Sequence, residues 1–127
     1  MDRTLAIIKP DAVAAGNTGA ILAAIEAAGF RLAALRRRTF SRAEAETFYA
    51  VHAEKSFFGQ LIDFMVSGPC VVAVLEREGA VEAWREALLP IREQYGSGVT
   101  ANAVHGSDAD ETAAVEIAFL FSGAEID

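Results

Sequence analysis

Six consecutive apolar residues, Cys70-Val71-Val72-Ala73-Val74-Leu75, follow the breaker Ser67-Gly68-Pro69 and form the clearest strand signal in the chain. Leu5 to Ile8 is a second short apolar run, stopped by Pro10, and reads as a buried first strand with Lys9 at its end, pointing out of the sheet's rim. Around these runs the apolar spacing switches to the helical period. Ile21, Leu22, Ile25 and Ala28 recur at that spacing after the turn residues Gly16-Asn17-Thr18-Gly19, and Gly29 closes the helix. Arg31 to Phe40 reads as a second strand. Ser41 and Glu44 then have the form of a capping box for a helix carrying Ala45, Phe48, Tyr49 and His52 on one face. A short helix from about Gly59 to Val66 carries Leu61, Phe64 and Met65. Ala80 to Leu88 is helical and buries Val81, Trp84 and Leu88, with Arg85 about 100° round the helix from Trp84 and free to reach outward.

The C-terminal part of the chain joins a strand to a helix through one short turn. Thr100 to Val104 alternates and carries β-branched residues, and Gly106 breaks this strand just after His105. Asp108 with Glu111 has the form of an N-cap and capping box for a closing helix, whose stripe is Ala113, Ala114, Ile117, Leu120 and Phe121. The order is therefore strand, helix, strand, helical hairpin, strand, helix, strand, helix. It predicts an α+β, ferredoxin-like βαββαβ fold: a four-stranded, mainly antiparallel sheet with helices on one face and the helical hairpin as an insert. A chain of 127 residues fits one domain, so residues 1–127 are expected to fold as a unit.

Several function classes fall away on composition. No apolar run approaches the length of a membrane span, and Met1-Asp2-Arg3-Thr4 lacks signal-peptide form, which predicts a soluble cytoplasmic protein. The net charge of −7 argues against a nucleic-acid partner, so any bound anion must be held by a local cluster. The basic run Arg36-Arg37-Arg38 would be split between strand faces and reads as a solvated edge. Cys70 has no partner for an internal disulfide and reads as a core residue.

What remains is a histidine at a strand end beside the start of a helix. Free N–H groups and the positive dipole end favour anions there, and an imidazole in such a place suits chemistry on phosphate. Lys9, Tyr49, Arg85, Arg92 and Asn102 are the candidate ligands to gather round His105. Taken singly, each is an ordinary surface residue. As a set they are the cations and polar donors that phosphoryl transfer needs.

Five ordered motifs then carry a resemblance through nearly the whole chain. They are Ile8-Lys9-Pro10-Asp11-Ala12-Val13, Phe48-Tyr49-Ala50-Val51-His52, Ser56-Phe57-Phe58, Met65-Val66-Ser67-Gly68-Pro69 and Asn102-Ala103-Val104-His105-Gly106-Ser107-Asp108. With them the chain resembles the nucleoside diphosphate kinases. The resemblance implies that His105 takes the terminal phosphate of a nucleoside triphosphate and passes it to a nucleoside diphosphate, in two steps. Glu116 is similar to the carboxylate that orients the imidazole. Lys9, Arg85, Arg92, Asn102 and Tyr49 resemble the groups that position phosphates, ribose and the histidine. Phe57 and Val99 match the pair that sandwiches the base, and ring stacking discriminates poorly among bases. Mg²⁺ is the implied cofactor, bridging nucleotide phosphates with little direct protein ligation. A nucleotide-binding or regulatory module that has lost activity is the alternative; the joint presence of Lys9, Tyr49, Arg85, Arg92, Asn102, His105 and Glu116 speaks against it.

Two departures from the family pattern stand out. Between Arg85 and Arg92 the family has a longer loop with a phosphate-binding threonine, whereas Leu88-Leu89-Pro90-Ile91 closes the gap here and shortens the chain by about ten residues. Counting back from His105 still leaves Arg92, Val99 and Asn102 in register. Because that loop supports three-dimer assembly in the family, the expected homo-oligomer is a dimer or tetramer in preference to a hexamer. Ser56 stands where the family has proline, which loosens the lid of the base site.

Overall fold

The computed structural model describes residues 2–127. Its strands are β1 (Asp2–Ile8), β2 (Arg31–Arg38), β3 (Cys70–Arg77) and β4 (Val104–Gly106), in the order β2-β3-β1-β4. Every neighbouring pair is antiparallel. The helices are α1 (Pro10–Ala14), α2 (Thr18–Ala27), α3 (Arg42–Phe48), α4 (Phe58–Met65), α5 (Ala80–Tyr95) and α6 (Asp110–Leu120), with 3₁₀ turns at Ala50–His52 and Gly123–Glu125. This is the expected ferredoxin-like plan. β2 lies at one edge, where Arg36 and Arg37 are exposed, Arg36 meets Glu125 at 3.3 Å and Arg38 pairs with Glu44.

The helices lie on both faces of the sheet, which corrects the one-face expectation. The crossover helices α2 and α5 do share a face, packing Ile21, Ile25, Trp84, Leu88 and Ile91 on Ala6, Ile8, Ala73 and Leu75. The other face of β1 and β3 exposes Leu5, Ile7, Val72 and Val74, and α3, α4 and α6 cover it with Ala45, Ile62, Met65, Ile117 and Leu120. The physical reason lies in the apolar runs. Neither β1 from Thr4 onward nor β3 before Arg77 alternates, and strands buried on both faces need cover on both.

Local signals held where they were self-contained. The capping box is present: Ser41 Oγ accepts from the Glu44 N–H at 3.1 Å, and Glu44 Oε1 accepts from the Ser41 N–H at 2.9 Å. Other boundaries differ. Pro10 stops β1 and also starts α1, at a position where its missing N–H costs nothing. α5 runs past Leu88 to Tyr95, because Ile91 continues the buried spacing of Trp84 and Leu88. β4 begins at Val104 in place of Thr100. α6 begins without the predicted box: Ala109 is its N-cap, in extended backbone at φ −155°, and Asp108 stays outside with its carbonyl taken by Arg85. Of the predicted stripe, Ala114 is exposed while Ala113, Ile117, Leu120 and Phe121 are buried.

Candidate active site

β4 is a short edge strand, and α5 holds it in place from the outer side. Trp84, fully buried, donates its indole N–H to the His105 carbonyl at 3.0 Å. Arg92 donates from Nε and Nη2 to the Val104 carbonyl at 3.2 and 3.1 Å. Gly106 is needed because Trp84 and Leu88 lie where a Cβ would be, the nearest atom being Leu88 Cδ2 at 2.8 Å.

The imidazole of His105 is tied to α6. Its Nε2 lies 3.1 Å from Glu116 Oε1, and buried Ser107 donates to the same oxygen at 2.6 Å. An ionised carboxylate only accepts, so Nε2 carries the proton and the lone pair is on Nδ1. Phe48 and Tyr49 set their rings edge-on to the imidazole at 5.4 and 6.0 Å.

A cavity of about 310 Å³ opens beside His105, lined among others by Lys9, Tyr49, His52, Phe57 and Val99. Lys9 is buried here and does not project from the rim; it gives Nζ to Asn102 Oδ1 at 2.8 Å and to the Thr100 carbonyl at 3.5 Å. Burial, and then nearby Arg92, bring its pKa down from 10.5 to about 8, while Asp11 opposes the shift. The Tyr49 hydroxyl is shielded and unpartnered, and burial followed by the charge of Glu116 pushes its pKa up, so it remains a donor. Phe57 is 42% exposed and Val99 95% exposed, an open pair of walls suited to a flat ring.

His52 is the residue that sequence reasoning missed. It sits in the 3₁₀ turn after α3, stacks on Tyr49 at 6.4 Å, lies 5.7 Å from the Phe57 ring, and has a shielded Nδ1 with no partner. Its signal was present as the one polar member of the Ala45, Phe48, Tyr49 stripe. Burial and then Lys55 lower its pKa, favouring the neutral ring.

Arg85 and Arg92 line a smaller hollow of about 140 Å³ with Leu88, Gly106 and Asp108, next along β4. They are seven residues apart on one helix, hence two turns apart on one face. Arg85 donates to the Asp108 carbonyl at 3.4 Å. Thus Lys9, Tyr49, Phe57 and Val99 meet His105 in one cavity, Asn102 is held by Lys9, Glu116 backs the imidazole, and the two arginines adjoin it. A larger hollow of about 590 Å³ beside α6, floored by Ile117 and Phe121, gathers none of these groups.

A cationic pocket with an oriented histidine and aromatic walls is a nucleotide site in outline. The family model described as nucleoside diphosphate kinase matches residues 2–126. The chain belongs to the nucleoside diphosphate kinase family. The nucleoside diphosphate kinase of Sulfurimonas denitrificans is 55% identical over 136 positions, covering 99% of each chain, and that of Nitrobacter hamburgensis is 53% identical, covering 99% of this chain and 97% of its own. Solved nucleoside diphosphate kinases superpose closely. The Aquifex aeolicus enzyme gives a TM-score of 0.95 at 43% identity over 99% of each chain. The halophilic Halobacterium salinarum enzyme, in complex with CDP, gives 0.95 at 30% identity over 99% of this chain and 91% of its own. As a nucleoside diphosphate kinase the chain is a phosphotransferase acting between nucleoside triphosphates and diphosphates. Alignments of 136 positions against a chain of 127 also mean that these relatives carry residues this chain lacks.

Proposed function

We propose that His105 is the phosphoryl carrier of this kinase and works by a ping-pong route. The observation that carries the reading is the Glu116 contact on Nε2, which leaves the Nδ1 lone pair as the nucleophile. That lone pair attacks the terminal phosphorus of a nucleoside triphosphate, the bond to the bridging oxygen breaks, and the diphosphate leaves with the electron pair. In the return step a terminal oxygen of a second diphosphate attacks the phosphohistidine. Glu116 stabilises the positive charge that develops on the ring, and Ser107 holds Glu116.

Lys9, Arg85, Arg92 and Asn102 position the phosphates and offset the charge spreading over their oxygens. These groups also contact one another and backbone carbonyls, which fixes where they stand around the phosphate path. Tyr49 lines the cavity and has an unpaired hydroxyl to offer, and Phe57 and Val99 close on the two sides of the base. The charged donors around the phosphate path are cations, a set that suits a divalent metal ion arriving on the nucleotide's own phosphates; family members generally require such an ion. Mg²⁺, so bound, neutralises phosphate charge.

The chain acts as a single domain in the cytoplasm on free nucleotides, since a net charge of −7 disfavours nucleic acid. No helix among the described residues is long and apolar enough to cross a membrane. It assembles as dimers or pairs of dimers, because the segment missing after Arg85 removes threefold contacts. The decisive experiment incubates purified protein with γ-labelled ATP and follows label in protein. An acid-labile, alkali-stable adduct that discharges onto added diphosphate and vanishes in His105→Ala is expected. Full exchange activity in that variant would overturn the mechanism.

A further inference from the structure

Between Asn102 and His105, just before Val104, lies the one non-glycine residue among those described whose φ is in the left-handed region, Ala103 at 74°. The Val104 N–H donates to the Asn102 carbonyl at 2.9 Å, closing a γ-turn across Ala103, a rare and strained conformation for an L residue. Such strain persists only where the surroundings over-determine it. Here one segment holds both peptide groups of the fully buried Ala103. Its N–H donates to Asp11 Oδ2 at 3.1 Å, and its carbonyl accepts from the Lys9 N–H at 2.7 Å. The other carboxylate oxygen, Asp11 Oδ1, is shielded from solvent and unpartnered. Asp11 belongs to the Ile8 to Val13 motif, yet phosphoryl transfer as described gives it no task.

We propose that Asp11 is a positioning residue for phosphoryl transfer, acting through the backbone: its carboxylate holds Ala103 in the γ-turn that sets Asn102 against Lys9 and delivers His105 to β4 in register. The register is Ile8 opposite Val104 and Ile7 opposite His105. An Ala103 relaxed to ordinary φ would swing Asn102 Oδ1 from Lys9 Nζ, 2.8 Å away, and displace His105 from Glu116. A purely electrostatic role for Asp11, exerted through the charge of Lys9, predicts a different pattern of variants.

The test measures the rate of His105 phosphorylation by rapid quench, with KM for Mg·ATP, in native protein, D11N, D11A, A103G and D11A/A103G. D11A is expected to slow phosphorylation tenfold or more. D11N keeps an oxygen that accepts from Ala103 and should lose less than threefold. Glycine adopts positive φ freely, so D11A/A103G should come within threefold of A103G alone. Rates in D11N as low as in D11A, or no rescue by glycine, would assign the effect to charge and overturn the proposal. Should D11A fail to fold, the comparison of D11A/A103G with A103G decides alone. The inference rests on His105 as phosphoryl carrier, and the two failures separate: a native adduct on another residue refutes that reading, whereas an adduct on His105 without glycine rescue refutes only the role of Asp11.

Discussion

Gly106→Ala places one methyl group at the tightest point of the site. The added carbon would lie 2.8 Å from Leu88 Cδ2 and 2.9 and 3.0 Å from Trp84 Cδ1 and Nε1. Leu88 is 3% exposed and Trp84 is fully buried, with Phe30 edge-on to the indole at 6.0 Å, so neither side chain has free space to enter. Overpacking of this kind costs about 1–3 kcal/mol. Moving the indole also weakens its hydrogen bond to the His105 carbonyl, worth about 0.5–1.5 kcal/mol. A loss of about 2–4 kcal/mol is therefore expected in urea unfolding at fixed protein concentration, with slower phosphorylation of His105. Gly59→Ala is the control: nothing lies within 4 Å of its Cβ, and a helical alanine should gain about 0.5–1 kcal/mol over glycine. If Gly106→Ala is as stable as native protein and is phosphorylated at the native rate, the packing of α5 on β4 does not position the histidine.

Other expectations follow from the same geometry. Lys9 has a pKa of about 8, so its charge is present below that pH and lost above it; kcat/KM should decline as pH rises through 8, and a Lys9→Arg variant that still binds nucleotide should lack that limb. The same shift makes buried Lys9 oppose folding below pH 8, because the unfolded chain holds its proton more tightly, and this cost fades between pH 8 and 10.5, which proton-linked unfolding can measure. Phe57→Ala should weaken purine and pyrimidine nucleotides alike by about 1–3 kcal/mol, in KM more than in kcat; unchanged kcat/KM would displace the base from this wall. Sedimentation equilibrium at micromolar protein should show dimers or tetramers, and a single hexameric species would show that the missing segment is not needed for threefold contacts.

The signals that could be read in the sequence were those whose cause is local. β1 and β3 announce themselves because apolar runs need no partner to be recognised, and the Ser41–Glu44 box is complete within four residues of chain. The candidate site was legible as a set of residue types, through the resemblance, but its geometry was not. Where β4 begins depends on the Ala103 turn, which Asp11 and Lys9 impose from about ninety residues away in sequence. α6 takes Ala109 as its N-cap, one residue past the Asp108 whose carbonyl Arg85 contacts from another helix. His52 looked like part of an apolar stripe because its place in the cavity wall becomes apparent only once α3 ends and the turn at Ala50–His52 sets it beside Tyr49 and Phe57.

The segment missing between Arg85 and Arg92 was expected to leave a trimmed loop, and the structure shows instead a continuous α5. Pro90 should break that helix, since it offers no N–H to the Glu86 carbonyl and its ring crowds the preceding turn. Yet Glu86, Leu89 and Pro90 all lie on the exposed side, where water can satisfy the freed carbonyl, while Trp84, Leu88 and Ile91 anchor the opposite side in the core. The defect and the packing thus fall on different faces of one rod. Seven residues of helix span about 10.5 Å, so Arg92 is carried to the Val104 carbonyl by the same rigid element that brings Trp84 to His105. On the proposed reading, loss of the covering segment removes phosphate donors and interface area. It does not release the remaining arginines, because their spacing is now fixed by helix geometry and no longer by the conformation of a loop.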